Sequence, residues 1–227
     1  MIIMKVSVVI PVYNEEKYIK KCLDSLMKQT EKPDEIIIVN NNSTDNTINI
    51  VKNYNVKIIN ENFQGIGYAR NAGFNNATGD IIARCDADTV CPPDWLHKIK
   101  SNFLQNEGVI AASGPGSFHD LFLPKTNTLF TKIFYFWLTK QFQGYYPLFG
   151  ANMAIKKTVW QQVKNTVCTS NIDLHEDMDL AIHIHKFGNI IYDSTLVVDT
   201  TARRFSCYLV EYLIRWLKTL FAHHNTV

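Results

Sequence analysis

Residues 80–90 read DIIARCDADTV, in which an apolar run ends in two aspartates, Asp86 and Asp88. A short apolar run of this kind predicts a buried β-strand, and the aspartates then follow its carboxyl end. Open α/β sheets bind their ligands at that end of their strands. Two carboxylates this close repel each other unless they share a cation or a proton. The pair therefore indicates a site for a divalent metal ion, a surface turn or a nucleophilic aspartate.

The aspartate pair ends a regular alternation of strands and helices that fills the first hundred residues. Apolar runs predict the strands KVSVVIPV, DEIIIVN, VKIIN and DIIARC, and the segments between and after them have helical spacing. Strict alternation predicts an α/β fold with a Rossmann-like, mostly parallel sheet and right-handed crossovers. Beyond about residue 113 the alternation fades. We expect loops and aromatic helices there to carry specificity rather than the core of the sheet.

Composition narrows the class of protein. The 227 residues fit one domain with at most a small appendage, and the net charge of +2 argues against a nucleic-acid partner. The five cysteines form neither a CxxC pair nor a zinc spacing, as expected in a reducing compartment. The N-terminus reads as a strand rather than a signal peptide, and no apolar run is long enough to span a bilayer. We expect a cytoplasmic protein.

The ends of the predicted strands carry groups that suit a nucleotide. Tyr13 follows the first strand, three asparagines (residues 40–42) follow the second, and Asp86 and Asp88 follow the fourth. In a parallel sheet these ends lie along one edge, where amides can read a base and a metal can hold phosphates. Neither GxGxxG nor a P-loop motif is present, which excludes those two modes of nucleotide binding. The set suggests that the diphosphate is a leaving group.

Several segments together resemble family 2 glycosyltransferases of the GT-A fold, which use nucleotide sugars and invert the anomeric centre. The matching segments are SVVIPVYNEEKYIKKCLDSL, EIIIVNNNSTDNT, GIGYARNAGFNNATGDIIARCDAD, FGANMAIKKTVW and HEDMDLAIHIHKFG, in order from about residue 5 to 200. The resemblance implies a DxD motif at Asp86 and Asp88 that holds Mn²⁺ or Mg²⁺. Tyr13 and Asn41 fall at positions that resemble the family's nucleoside contacts. We also expect nucleotide-sugar contacts from Pro11, Asn14, Glu15, Asp86, Ala87 and Asp88, and Arg70 either faces the diphosphate or is a solvated helix residue.

A second acidic cluster lies in HEDMDLAIHIHKFG (residues 175–188). Read as a helix, it places Asp177 on the same face as Leu180 and Ile184, so Asp177 points toward the protein. The resemblance makes Asp177 the general base that takes the proton of the acceptor hydroxyl, a step that the chemistry needs. It also assigns Gly150, Ala151, Asn152 and Glu176 to the acceptor side.

One departure from the family pattern concerns the nucleobase. The family usually has acids in the second motif, whereas this chain has Asn40 and Asn41. An amide both donates and accepts hydrogen bonds, and a carboxylate only accepts them. A UDP-sugar is the favoured donor, and the acceptor is expected to be a growing glycan or a lipid-linked saccharide.

The last part of the chain is a candidate for membrane contact. We expect a catalytic domain over residues 1–203, with a nucleotide-sugar half (1–113) and an acceptor half (114–203), followed by an amphipathic helix within 204–227. The helix is basic and aromatic, so it either lies at the inner face of the cell membrane or docks on the domain's own core. Arg203 and Arg204 precede it and are either phosphate contacts or capping groups.

Three other functions fit part of the sequence. DADTV also matches the DxDx[TV] signature of haloacid-dehalogenase-like phosphatases, in which Asp86 would be the nucleophile. That signature normally follows the first strand of its domain, whereas here it follows the fourth. A nucleotidyltransferase would also pair a metal with a nucleotide. A non-catalytic nucleotide-sugar-binding module would explain Asn40 and Asn41, but the acidic motifs argue against it.

Overall fold

The computed structural model describes residues 4–120, 128–129, 131–170, 174–203 and 209–222. The regular elements in this part of the chain are β1 (Val6–Val12), α1 (Ile19–Met27), β2 (Glu35–Asn40), α2 (Thr47–Val51), β3 (Lys57–Asn60), α3 (Ile66–Asn76), β4 (Ile81–Arg84), α4 (Trp95–Gln105), β5 (Val109–Ser113), β6 (Gly116–Phe118), a π-helix (Thr131–Trp137), α5 (Leu138–Gln143), β7 (Met153–Lys156), α6 (Lys157–Val163), α7 (Glu176–Ile184), a 3₁₀ turn (His185–Phe187), β8 (Asn189–Tyr192), β9 (Val198–Thr200) and α8 (Leu209–Ala222).

The predicted mostly parallel sheet is confirmed. Within the described residues, seven strands form it in the order β3-β2-β1-β4-β7-β5-β8. Strands β1 to β4 pair in parallel, and so do β5 and β8. Pro11, which has no N–H to donate, lies beyond Val9, the last residue of β1 that pairs with β4. Because β1 to β4 pair in parallel, their carboxyl ends share one edge of the sheet.

Alternate side chains of the central strands enter two apolar cores, one on each face of the sheet. From β1, Val8 and Ile10 pack with α1 and α4, whereas Val9 packs with α3, α6 and α7. Strand β2 divides its side chains between the two cores in the same way. A strand buried on both faces needs apolar residues at nearly every position, which explains the continuous run VSVVIPV.

The second half of the chain contributes more to the sheet than the sequence indicated. Strands β7 and β8 both belong to it, so the expectation that this half lies outside the core of the sheet is wrong. Strand β7 runs antiparallel between β4 and β5. Its four residues, MAIK, are too few to show a strand periodicity. They form a strand because they hydrogen-bond to β4 on one side and to β5 on the other.

A small parallel sheet of β6 and β9 brings the end of β9 to the aspartate pair. Val90 pairs with Asp199 in an isolated antiparallel bridge, with N–H to O distances of 2.7 and 3.0 Å. This bridge ties the segment after β4 to β9. Residues 200–203 therefore lie against the DAD segment, although more than a hundred residues separate the two in sequence.

The last helix docks on the domain through polar contacts. Trp216 Nε1 of α8 donates to Thr139 Oγ1 of α5 at 3.1 Å, and the His175 N–H donates to Thr219 Oγ1 at 2.9 Å. Residues 204–208, including Arg204, and residues 223–227 lie outside the described part of the chain. Among the helices that are described, none has the length and hydropathy needed to cross a bilayer.

We predict that Gly73→Ala destabilises the fold, because a Cβ at this position of α3 would lie 2.3 Å from Val9 Cγ1 and 2.9 Å from Val39 Cγ2. Overpacking outweighs the helix-propensity gain of alanine, for a net loss of about 1–2 kcal/mol in the free energy of unfolding. Urea titration followed by circular dichroism measures it. Asn76→Ala, at the exposed end of the same helix, is the control and should change stability by less than about 0.5 kcal/mol. Equal stability of Gly73→Ala and wild type would contradict the packing argument.

Candidate active site

The loops after β1 and β2 are hydrogen-bonded to each other at the carboxyl edge. Asn14 has a positive φ of 54°, and its Oδ1 accepts the Thr44 N–H at 2.8 Å. The Glu15 N–H donates to Thr47 Oγ1 at 2.7 Å. Tyr13, between β1 and these contacts, leaves half of its surface exposed. The loop therefore presents an aromatic ring at the edge where the sequence predicted a nucleotide contact.

Asn41 is buried and organises the loop after β3. Its Nδ2 donates to the carbonyls of Glu61 and Phe63 at 2.9 and 2.8 Å, and its Oδ1 accepts the Gly65 N–H at 2.8 Å. A carboxylate could not make the two donations. The carbonyls of Glu61 and Phe63 need a hydrogen-bond donor, which explains why this chain has an asparagine where the family usually has an acid. Its amide is committed to this loop rather than facing solvent.

Phe63 is an exposed aromatic residue that the sequence analysis missed. It follows β3 at the same edge as Tyr13, and 68% of its surface is accessible. Its ring lies 5.5 Å from that of Tyr68, and its carbonyl is held by Asn41. The sequence signal was an aromatic residue in the polar segment NENFQ, just before the GIGYARNAG helix.

The two aspartates of the DAD segment have different surroundings. Asp86 is the more exposed, and its Oδ1 lies 3.1 Å from Arg84 Nη2. The side chain of Asp88 is only 8% exposed; its Oδ2 accepts from Thr201 Oγ1 at 2.6 Å and from Arg203 Nε at 3.0 Å. Ala87 between them is buried. The residues after β9 that hold Asp88 had no recognisable signal in the sequence beyond the basic pair at Arg203.

A buried ion-pair network connects the DAD segment to α7. Glu176 pairs with Arg70 Nη1 at 2.7 Å and with Arg84 Nη1, and both guanidinium groups are almost fully buried. Burial alone would lower the pKa of Arg84, but the carboxylates of Glu176 and Asp86 more than offset it and raise that pKa. Arg70 also donates to the Cys168 carbonyl at 3.2 Å. Arg70 and Glu176 are therefore committed to each other rather than turned outward to a ligand.

Asp177 lies beside this network at the start of α7. Its Oδ2 accepts the Gly150 N–H at 2.8 Å, and its Oδ1 accepts the Met178 N–H at 2.9 Å. Burial and the neighbouring Glu176 raise the pKa of Asp177, while His175, the Gly150 N–H and Arg84 oppose the rise. A Cβ on Gly150 would lie 2.9 Å from Arg84 Nη2, so the close approach of this loop requires glycine. The site thus holds a carboxylate that is more basic than usual.

The other residues predicted for the acceptor side lie deeper. Ala151 is buried, and Asn152 is fully buried under the loop. Asn152 Oδ1 accepts from Trp95 Nε1 at 2.8 Å, and its Nδ2 donates to the Leu196 carbonyl at 2.6 Å. Asn152 therefore fixes the loop that carries Gly150. Asp179, on α7, is also buried and accepts the Cys168 N–H at 2.8 Å.

The donor set at Asp86 and Asp88 fits a hard divalent cation. Both residues offer carboxylate oxygens, which Mg²⁺ and Mn²⁺ favour. In the described part of the chain no group of three His, Cys, Asp or Glu side chains converges as a closed cage. The guanidinium groups that contact each aspartate show that this edge attracts cations.

Sequence comparison decides the family. The model of the family "Glycosyl transferase family 2" matches residues 7–158, more than half of the chain. The chain belongs to this family. The glycosyltransferase GlyA of Streptococcus pneumoniae is 34% identical over 121 residues, which are 51% of this chain and 17% of GlyA. The predicted family is confirmed. It spans only a small part of the length of this relative.

Solved structures confirm the GT-A fold. The mannosyltransferase PcManGT from Pyrobaculum calidifontis, in complex with GDP-Man and Mn²⁺, superposes with a TM-score of 0.78 at 21% identity. The match covers 99% of this chain and 65% of that one. TarS (residues 1–349) of S. aureus, in complex with UDP-GlcNAc, gives a TM-score of 0.67 at 20% identity, over 87% of this chain and 58% of TarS. At these identities the likeness establishes the fold alone.

We predict that Glu176→Ala lowers the free energy of unfolding by about 3 kcal/mol, because two buried guanidinium groups lose their shared carboxylate. Chemical denaturation measures the loss. Lys20→Ala breaks the exposed pair with Asp24 and is the control; its effect should be too small to resolve. Similar losses for the two variants would show that the network does not hold α7 to β4.

Proposed function

We propose that this glycosyltransferase moves a sugar from a nucleotide-diphosphate donor to an acceptor hydroxyl, with a divalent cation at the DAD segment and with inversion. The observation that carries the proposal is the convergence of two acidic sites. Arg84 contacts Asp86 and Glu176, and Glu176 adjoins Asp177, so the aspartates that follow β4 and the aspartate of α7 belong to one connected site. The cation, the donor and the base can then act together on the bond between the sugar and the diphosphate.

The donor's base is assigned to the loops after β1 and β3. Tyr13 and Phe63 expose aromatic surface at this edge, and a flat base can stack on such a ring. We favour a UDP-sugar. The solved relatives support a nucleotide sugar without fixing the base, since one is in complex with GDP-Man and the other with UDP-GlcNAc. A glycan or a lipid-linked saccharide is the proposed acceptor.

Asp177 is the proposed general base. An acceptor hydroxyl becomes a competent nucleophile when a carboxylate removes its proton as the new bond forms. The Gly150 N–H holds one oxygen of Asp177, and the raised pKa makes the carboxylate a stronger base than a solvated aspartate. Because one base acts on the face opposite the leaving group, the displacement occurs in one step and inverts the anomeric carbon.

Asp86 and Asp88 would hold the cation. When bound, Mn²⁺ or Mg²⁺ neutralises charge that develops on the departing diphosphate. Asp86 Oδ1 faces Arg84, and Asp88 Oδ1 is 3.3 Å from Thr200 Oγ1, so each aspartate keeps an oxygen with weak or no protein contact among the described residues. PcManGT, whose structure contains Mn²⁺, supports this assignment.

The phosphatase alternative is not favoured. It needs Asp86 as a nucleophile with its own acid/base partner, whereas Asp86 pairs with the buried Arg84 at the end of the fourth strand. The family match and the GT-A fold also leave that reaction without support. A non-catalytic binding module loses its main motivation, because Asn41 is explained by its bonds to the loop after β3.

The site assignment predicts different losses from two isosteric variants. Thermal unfolding of the wild type is measured with UDP, GDP, CDP and dTDP, each with and without Mn²⁺. One nucleotide should raise the midpoint in a Mn²⁺-dependent way, since a ligand that binds only the native state stabilises it. Asp88→Asn should lose both this shift and sugar transfer. Asp177→Asn should lose transfer by at least about a hundredfold, as expected for a general base, and keep the shift.

Two results would overturn the proposal. If no nucleotide shifts the wild-type midpoint with Mn²⁺, the DAD segment is not a cation and diphosphate site. If Asp177→Asn keeps near-native turnover, the base lies elsewhere. A parallel measurement of the unfolding midpoint without ligand controls for folding in each variant.

We further propose that the C-terminal helix contacts an anionic membrane surface. Three apolar residues of α8, Ile214, Leu217 and Phe221, recur at helical spacing and are about half exposed or more. On the neighbouring α5, Phe142 is 60% exposed, and its ring lies 6.5 Å from that of Trp216. The same segments of the sequence contain four basic residues: Lys132, Lys140, Arg215 and Lys218. A basic, aromatic face of this kind fits a headgroup interface.

Flotation with lipid vesicles tests the membrane contact. The wild type should float with vesicles that contain phosphatidylglycerol and much less with phosphatidylcholine alone, since the basic residues add electrostatic attraction. A triple change to serine at Ile214, Leu217 and Phe221 should abolish flotation. Leu104→Ser, which alters an exposed leucine of α4, is the matched control and should float like wild type. Flotation of the triple variant at wild-type level would refute the contact.

A further inference from the structure

The carboxylates of Asp88 and Glu15 share one guanidinium group. Arg203 Nε lies 3.0 Å from Asp88 Oδ2, and Arg203 Nη2 lies 2.5 and 2.6 Å from the two oxygens of Glu15. The guanidinium carbon is also 4.5 Å from the centre of the Tyr18 ring. Three segments that are distant in sequence, the loops after β1 and β4 and the chain after β9, therefore meet at one side chain.

Burial makes this contact more than a surface ion pair. The side chains of Glu15 and Asp88 are 4% and 8% exposed, and Arg203 is 30% exposed. Two nearly buried carboxylates next to each other are unstable without a compensating cation. Both of them raise the pKa of Arg203 against the effect of burial. The protein therefore supplies its own positive charge at this position.

The geometry places this charge in competition with a metal ion. Asp88 Oδ2 accepts from both Thr201 Oγ1 and Arg203 Nε, which uses its two lone-pair directions. A divalent cation at Asp88 has to replace one of these donors or approach Oδ1 with the guanidinium still close. In the second case two cations repel each other across one carboxylate.

We propose that Arg203 competes with the divalent cation for Asp88 and yields it when the nucleotide diphosphate binds. This inference rests on the proposed cation role of Asp88. The negative charges of the diphosphate compensate for the second positive charge, so the cation can take Asp88 while Arg203 stays paired with Glu15. Cation and nucleotide then bind with positive coupling, and the reciprocal effects must be equal. Arg203 is a positioning residue in this scheme because it acts through Asp88.

Direct measurement of Mn²⁺ binding tests the competition without any assay of activity. Isothermal titration, or electron paramagnetic resonance of free Mn²⁺, gives the Mn²⁺ affinity of the full chain with and without UDP. Arg203→Gln should bind Mn²⁺ more tightly than wild type when UDP is absent. We expect about tenfold, within the roughly 5- to 150-fold range of typical coupling. The gain in Mn²⁺ affinity caused by UDP should shrink in the variant.

Two further variants keep the test decisive. Arg203→Lys keeps the positive charge but loses the planar guanidinium group. Its Mn²⁺ affinity without UDP should fall between those of wild type and Arg203→Gln. If Arg203→Gln does not fold, Arg203→Lys replaces it in the test. Asp88→Asn reports whether the cation binds at this aspartate. One outcome would overturn the competition and leave the cation site standing. In that outcome Asp88→Asn loses Mn²⁺ binding, but both Arg203 variants bind Mn²⁺ no more tightly than wild type. Mn²⁺ binding that Asp88→Asn leaves unchanged would overturn the proposed cation site itself.

Discussion

The position of the candidate active site depends on the buried guanidinium group of Arg84. It contacts Asp86 at the end of β4 and Glu176 at the start of α7, two elements that are otherwise far apart in the sequence. Removing a guanidinium from water is tolerable only when carboxylates surround it. These two contacts hold the DAD segment next to the start of α7.

The same network sets the electrostatics of Asp177, the proposed base. Glu176 neutralises Arg70 and Arg84, yet its negative charge, together with burial, raises the pKa of Asp177. Arg84 and the Gly150 N–H limit the rise and hold the carboxylate in place. An aspartate in water would be a weaker base, and one without these partners would be protonated more readily. The two acids at the start of α7 therefore have different surroundings: Glu176 pairs with two buried guanidinium groups, and Asp177 is the proposed base.

Local sequence patterns were sufficient for the first four strands, because each contains an apolar run. Strands β1, β2 and β4 are largely buried, whereas β3 lies at the edge of the sheet and is only partly buried. Local patterns were insufficient for β7, whose four residues become a strand only because β4 and β5 flank them. Resemblance to the family identified the DAD segment and Asp177 as candidate site residues. It could not show that Arg70 and Glu176 pair with each other in the interior, nor that Phe63 is exposed beside the loop of Asn41.

By itself, the sequence determined the parallel half of the sheet, the edge at which the acids emerge, and the family. These follow from periodicity and motif order, which act over a few residues. Only the tertiary structure decided which charges meet. Arg84 and Glu176 are 92 residues apart, and Arg203 and Glu15 are 188 apart. Such pairs form because buried charges require partners, and which partner is near depends on the way the strands and helices pack rather than on any local pattern.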